Sequence, residues 1–352
     1  MLFTAILLIA LRQEQTGSAP QPSMTDVASL QAKAQVGDAD AQVQLGQAYE
    51  GGSGVRRNDE EAAKWYRKAA NQGNQAAEVA FGILLWTGRG VPEDKAQAVT
   101  WYRKAARQGN GSAMFNLGTA YYNGEGAPID AVRALAWFLL AEDHGSSLSK
   151  DAVQRFEKTA RPNEFEEAYA LIARMYVVGD EVRQNYARAA KWYQKAAEKG
   201  NASAAVTLAG MYFDGRGEDK DGNAALHWCK FAADKGNPVG VYCVGRLYQE
   251  GAVGPKDAVT AIRWFKKGAA MGNAPSYYRL GRMYWDGDGV AADKVTAYKW
   301  TVLASMVLPE AGRDARSFRS AMTAGEIQKA EQQLHDYIKA HHLETVVRVD
   351  EP

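Results

Sequence analysis

The sequence predicts an all-α chain: a solenoid of seven helix-turn-helix repeats, an extra helix after the third repeat, and a capping helix pair at the C-terminus. Tryptophan recurs at Trp65, Trp101, Trp137, Trp192, Trp228, Trp264 and Trp300, in steps of 36, 36, 55, 36, 36 and 36 residues. On the same ruler a large residue is followed by a small one, at Leu45-Gly46, Phe81-Gly82, Leu117-Gly118, Ile172-Ala173, Leu208-Ala209, Val244-Gly245 and Leu280-Gly281. Glycine loops such as Gly88-Arg89-Gly90 and Gly124-Glu125-Gly126 separate the two marks. A period of this length is one supersecondary unit that buries its apolar face only against its neighbours.

The second helix of each unit opens seven residues before its tryptophan, at Asn58, Asp94, Asp130, Asn185, Asp221, Asp257 or Asp293. These side chains can accept the orphan backbone N–H groups of a helix start. Alanine stands three residues before every tryptophan and a small residue four after it, so small, large and small share one helical face. Glycine follows eight residues after the tryptophan in six units, a helix-ending position, whereas the seventh unit has Leu308 there. The first helix carries the large-small pair at its middle. Glycine there costs about 1 kcal/mol against alanine, which argues for a close helix crossing. Tyr49, Tyr121, Tyr176, Tyr212, Tyr248 and Tyr284 follow three residues on, with Leu85 in the remaining unit.

The string Leu-Gly-x-x-Tyr, Gly-x-Gly-Val, Asp, Ala-x-x-Trp-Tyr-x-Lys-Ala-Ala, Gly-Asn resembles the Sel-1-like repeat, a relative of the tetratricopeptide repeat. Trp65-Tyr66-Arg67-Lys68-Ala69-Ala70 and Trp101-Tyr102-Arg103-Lys104-Ala105-Ala106 are near-ideal copies, and the match covers roughly residues 37 to 306. The resemblance implies a right-handed α/α superhelix. It also implies a non-enzymatic scaffold or adaptor that binds a partner protein or peptide along its concave surface, commonly in a bacterial envelope or signalling pathway.

The 55-residue step leaves 19 extra residues, enough for one helix over Leu148 to Thr159, which Arg161-Pro162-Asn163 ends and restarts. Phe318, Glu326 and Ala330 mirror Phe156, Glu164 and Ala168 at an offset of 162, so a similar cap, including a helix from Thr323 to His341, closes the C-terminus. The chain is therefore divided into 1–36, a signal or anchor segment and flexible lead-in; 37–160, three repeats and the extra helix; 161–342, four repeats and the cap; and 343–352, a tail.

Leu2 to Leu11 is an apolar run of signal-peptide length, too short to span a bilayer, which favours a periplasmic or secreted protein over a cytoplasmic one. No lysine or arginine precedes it. Cys229 and Cys243 flank Gly236 by seven residues on either side; a disulfide is geometrically open, but buried free thiols are the favoured reading because Cys229 fills a packing slot held elsewhere by Tyr66, Tyr102 and Tyr193.

With 42 basic and 41 acidic groups interspersed, the chain has a net charge of +1 and no basic stripe for nucleic acid. No cofactor or metal is expected. His335, His341 and His342 lack metal-pair spacing, and Asp286-Gly287-Asp288-Gly289 lacks the rest of a calcium loop. Ser147-Leu148-Ser149-Lys150 fits S-x-x-K, which keeps open an alternative, a hydrolase of cell-wall peptides or β-lactams. The companion motifs are missing, and serine is expected there as a helix cap.

The partner-binding candidates are the residues that the repeat does not require. Trp86, Tyr122, Phe213 and Trp285 follow the tyrosine position as a stripe of aromatic anchors, with packing on the glycine loops as the alternative. Arg174, Arg246 and Arg282 follow the large-small pair, should face the groove lined by first helices, and suit an acidic peptide or carboxylate end.

Overall fold

The computed structural model describes residues 24–341, which are helix and loop with no strand among them. Leu2 to Leu11, His342 and the tail lie outside the described residues. The chain forms two compact units, Met1–Trp192 and Tyr193–Pro352. The division expected at 160/161 followed the repeat register, whereas the units divide inside the helix Tyr186–Glu198.

Unit 1 contains α1 (Met24–Gln35), α2 (Ala39–Gly51), α3 (Asp59–Asn71), α4 (Gln75–Thr87), α5 (Lys95–Arg107), α6 (Gly111–Asn123), α7 (Ala131–Asp143), α8 (Ser147–Thr159), α9 (Glu164–Val178) and the start of α10 (Tyr186–Glu198). Unit 2 continues with α11 (Ala202–Asp214), α12 (Gly222–Asp234), α13 (Pro238–Glu250), α14 (Ala258–Ala270), α15 (Ala274–Asp286), α16 (Lys294–Ser305), α17 (Pro309–Ser320) and α18 (Ala324–Ala340).

Within each unit, successive helices pack as hairpins, and the expected caps hold them. Asn58 accepts from the Glu60 and Glu61 amides, Asp94 from Gln97, and Asp130 from Arg133. The loop of every hairpin closes with the same backbone bond: the cap residue's N–H donates to the carbonyl at the tyrosine position, as in Asn58 to Tyr49 and Asp293 to Tyr284, both at 2.9 Å. The second loop glycine sits on the preceding repeat. Gly90 has φ +67°, and a Cβ there would collide with the Asp59 carbonyl at the start of α3.

The mid-helix glycines admit a ring rather than merely a backbone. A Cβ on Gly46, Gly82 or Gly118 would lie 2.7, 2.6 or 2.6 Å from the side chain of Tyr66, Tyr102 or Phe138, the residue after each tryptophan. Tyr66 and Phe265 are at 0 % exposure and lie deeper than the tryptophans before them, whereas Trp137 and Phe138 are equally buried and Trp192 lies deeper than Tyr193. The residue after the tryptophan thus shares with the indole the filling of the space between helices.

Three further expectations change. The lead-in 12–36 is not flexible throughout, because α1 sets Val27 and Ala34 into the core with Leu45, Ala48 and Trp65. Val27, Leu30 and Ala34 share one helical face, a pattern outweighed in the sequence by the polar residues around it. Ser147 is not a cap: Ser146 holds that position without a side-chain cap bond, and Ser147 is the exposed first residue of α8. Cys229 and Cys243 are not free thiols but are joined by a disulfide between α12 and α13, with Cα atoms 5.7 Å apart. The packing slot and the bridge coexist, since Cys229 is fully buried facing its own hairpin.

Both expected caps are present. The extra helix α8 spans Ser147–Thr159, and α7 is flanked by both α8 and α9, so the repeat alternation is broken there. Tyr122 meets Phe156 of α8 edge to face at 5.7 Å, and Trp285 stacks on Phe318 of α17 at 3.8 Å. Each cap also closes with the same acidic back-bond, Glu164 accepting from the Arg161 amide at 3.1 Å and Glu326 from the Thr323 amide at 2.7 Å.

Candidate functional site

A cleft of about 1290 Å³ opens in unit 1, walled by residues from both sides of the 55-residue step. One wall is the end of α5 and its turn, Ala106 to Gly109, with Met114 of α6 and His144 at the end of α7. The other is the end of α9, the loop from Gly179 to Asn185, and Arg188 on α10.

The floor is a hydrogen-bonded cluster around Arg188. Its Nη1 donates to the Asp143 carboxylate at 3.1 Å and to the Tyr176 hydroxyl at 3.0 Å, and lies 3.3 Å from His144 Nε2. His144 Nδ1 is 2.9 Å from the Leu140 carbonyl, which can only accept; Nδ1 therefore carries the hydrogen and Nε2 faces the guanidinium as an acceptor. Burial pushes the Tyr176 hydroxyl up, and Arg188 opposes that shift only in part, so the phenol stays neutral and accepts. Gln108 is fixed at the rim, donating to Gly73 O at 3.1 Å and to the Glu78 carboxylate at 2.9 Å.

Arg107 and Arg183 differ from this cluster. Both are exposed, and neither has a hydrogen bond or ion pair among the described residues. Two carboxylates near the cleft are paired with other arginines: Glu181 binds Arg133 at 2.7 Å, and Asp143 holds Arg188 in the floor at 3.1 Å.

The residues expected to bind a partner are not brought together. Trp86 is buried at 5 % exposure, its ring 6.2 Å from Tyr102, so it presents no anchor. Tyr122 and Trp285 receive the cap helices, and Phe213 lies under the Arg246 guanidinium at 4.4 Å. Arg246 is held by Glu250 at 2.7 Å, and Arg282 by Asp314 of α17 at 3.1 Å. Arg174 alone of the three arginines is exposed without a partner among the described residues. The Arg246–Glu250 pair is an i,i+4 contact within α13, whereas the Arg282–Asp314 pair depends on which helix follows in space, which residue spacing does not reveal.

The cleft residues were not singled out in the sequence, although the irregular step marked their place. Ser147 and Lys150 are both exposed near the start of α8, and no hydrogen bond joins Ser147 to a base among the described residues. Among the described residues no group of three or more His, Cys, Asp or Glu could hold a metal, and no helix is long and apolar enough to cross a membrane.

The Sel1 repeat model matches residues 39–74, 76–110, 111–146, 166–201, 202–237, 241–273 and 274–306. The chain belongs to the Sel1 repeat family. The fifteen helices over these matches, α2 to α16, follow the register that the tryptophan ladder marks, with α8 in the gap from 147 to 165. Among solved structures it is similar to a protective antigen of uropathogenic Escherichia coli strains with an SLR fold, at 23% identity over 99% of this chain and 95% of that one, with a TM-score of 0.39. It is also similar to a Sel1 repeat protein from Oxalobacter formigenes, at 28% identity over 74% and 96%, with a TM-score of 0.34. A third is a Sel1 repeat protein from Klebsiella pneumoniae, at 20% over 63% and 98%, with a TM-score of 0.27. No curated protein matches.

Proposed function

We propose that this Sel1 repeat protein is a non-enzymatic scaffold that holds a segment of a partner protein in the cleft of unit 1. The observation that carries the reading is the cleft itself, an open depression at the one break in the repeat. Its volume of about 1290 Å³ exceeds the roughly 300–1,000 Å³ of small-molecule pockets. Its polar cluster of Arg188, Tyr176, Asp143 and His144 is tied down by mutual hydrogen bonds, an arrangement that shapes a surface and leaves no nucleophile beside a base. The hydrolase reading has only exposed Ser147 behind it. A photo-crosslinking residue at Val178 on the cleft wall should trap a partner in native cells, whereas one at exposed Ile129 should not. Crosslinks at Ile129 and none at Val178 would place the binding surface elsewhere.

The disulfide and the apolar run Leu2 to Leu11 together support export to an oxidising compartment, in a bacterial envelope. Alkylation of protein trapped in acid from native cells should modify neither cysteine before reduction; modification of both would assign the chain to a reducing compartment.

A further inference from the structure

The geometry points to an acidic segment as the occupant of the cleft, with its carboxylates bound by Arg107 and Arg183; this inference rests on the cleft being the partner site. The charge inventory is one-sided. The lining contains Arg107, Arg183 and Arg188 and no carboxylate. Of the acidic groups close by, Asp143 is held by Arg188 at 3.1 Å, Glu181 by Arg133 at 2.7 Å and Glu78 by Gln108 at 2.9 Å, while exposed Asp180 accepts the Glu181 amide at 2.8 Å and pairs with neither Arg107 nor Arg183. Nothing among the described residues neutralises Arg107 or Arg183.

The two free guanidinium groups come from different walls, Arg107 from the end of α5 and Arg183 from the loop between α9 and α10. A ligand that satisfies both must extend across the opening. Arginine forms paired hydrogen bonds with a planar carboxylate, and the bond is strengthened where water is partly excluded. Val178, exposed at 57 %, lines the same space and can pack against an aliphatic stem between successive acidic groups. Arg188 is a positioning residue: Tyr176, Asp143 and His144 fix it in the floor, so its charge adds to the field without being free to follow a ligand.

A nucleic acid fits less well. Sites of that class neutralise several phosphates along a basic track, and here the free cations number two on a chain with a net charge of +1.

The test is fluorescence anisotropy of the full chain with three labelled peptides of equal length, one of Glu and Asp spaced by Gly and Leu, one with Lys in place of the acids, and one neutral, plus a labelled oligothymidylate. The acidic peptide should bind, weaken with added salt, and bind about tenfold or more weakly to R107E/R183E and to the milder R107Q/R183Q. Both residues are exposed, so the helical circular-dichroism signal should not change. Equal binding of the acidic peptide to wild type and both variants, or stronger binding of the oligonucleotide through the same arginines, overturns the acidic assignment. Neutral or basic peptide binding that V178W abolishes overturns it too, yet leaves the scaffold reading standing. No binding by any of the three peptides overturns both.

Discussion

In unit 1 the tryptophans at 65, 101, 137 and 192 are all buried, whereas in unit 2 Trp228, Trp264 and Trp300 are each only half-buried, although the sequence marks all seven alike. The difference lies in what covers the indole. Trp137 reaches 0 % exposure because α7 is flanked by both α8 and α9. Phe81 meets Trp101 edge to face at 5.6 Å, and Lys104 lies over the same ring at 3.7 Å. In unit 2 Lys267 lies over Trp264 at 4.4 Å, but Val244 stands where Phe81 stands in the second repeat. A repeat motif thus fixes where a helix lies, while the neighbouring side chains decide how deeply each position is buried.

The units also tie their repeats differently. In unit 1 charged loop residues reach back to the previous repeat, Arg89 to Asp59 at 3.2 Å, Glu125 to Lys95 at 2.8 Å and Glu181 to Arg133 at 2.7 Å. In unit 2 the Cys229–Cys243 bridge joins α12 to the following repeat, and Asp314 of α17 takes both Arg282 and the Tyr278 hydroxyl.

The largest effect expected from this contrast is on the ladder itself. Trp137→Ala should cost about 3–5 kcal/mol of stability and Trp264→Ala about half of that, because the second ring gives up less buried area. Urea titration followed by circular dichroism measures both, and equal costs would break the contrast in depth. Next, the bridge closes a loop of sequence separation 14, so the double variant C229A/C243A should lose roughly 3 kcal/mol. Hydrogen exchange should show the loss at amides of α12 and α13 and leave α3 to α7 protected; a loss spread evenly over both units would show that they do not unfold separately.

The smallest effect concerns acid. Hydrogen bonds from Arg57 and then Arg89 hold the Asp59 carboxyl below its ordinary value of 3.8. A depressed folded value means that the stability it contributes is present above about pH 3.8 and is lost as pH falls through the folded value. The Lys95 hydrogen bond lowers Glu125 from 4.5 in the same sense. Asp59→Asn should cost less than about 1 kcal/mol at neutral pH, as partly exposed pairs do, and should flatten the acid limb of unit 1's stability curve. An unchanged acid limb would mean that the loop pairs contribute nothing measurable.

Most of the fold was legible because its signals are local. Cap residues seven before each tryptophan, helix-ending glycines, the extra helix to Thr159 and the C-terminal helix from Thr323 each depend on side chains within a few positions of one another. α1 was missed because Val27, Leu30 and Ala34 make a thin apolar face in a polar stretch, and their partner Leu45 lies beyond the turn. The site was harder to read. Trp86, Trp285, Arg246 and Arg282 look like surface groups in the repeat register, yet each is taken up within the fold, Arg246 by Glu250 one turn on and Trp285 and Arg282 by Phe318 and Asp314 of α17.

By itself the sequence determined the repeat, its count, the place of the break and the family, since these follow from periodicity and from contacts inside one unit. Only the tertiary structure decided that the residue after the tryptophan is the deeper filler in five of the seven repeats, that Cys229 and Cys243 pair, and that Arg107 and Arg183 face one cleft. Those facts depend on which side chains meet between different helices. A fixed spacing constrains such meetings, but the distances and charges of the packed neighbours settle them.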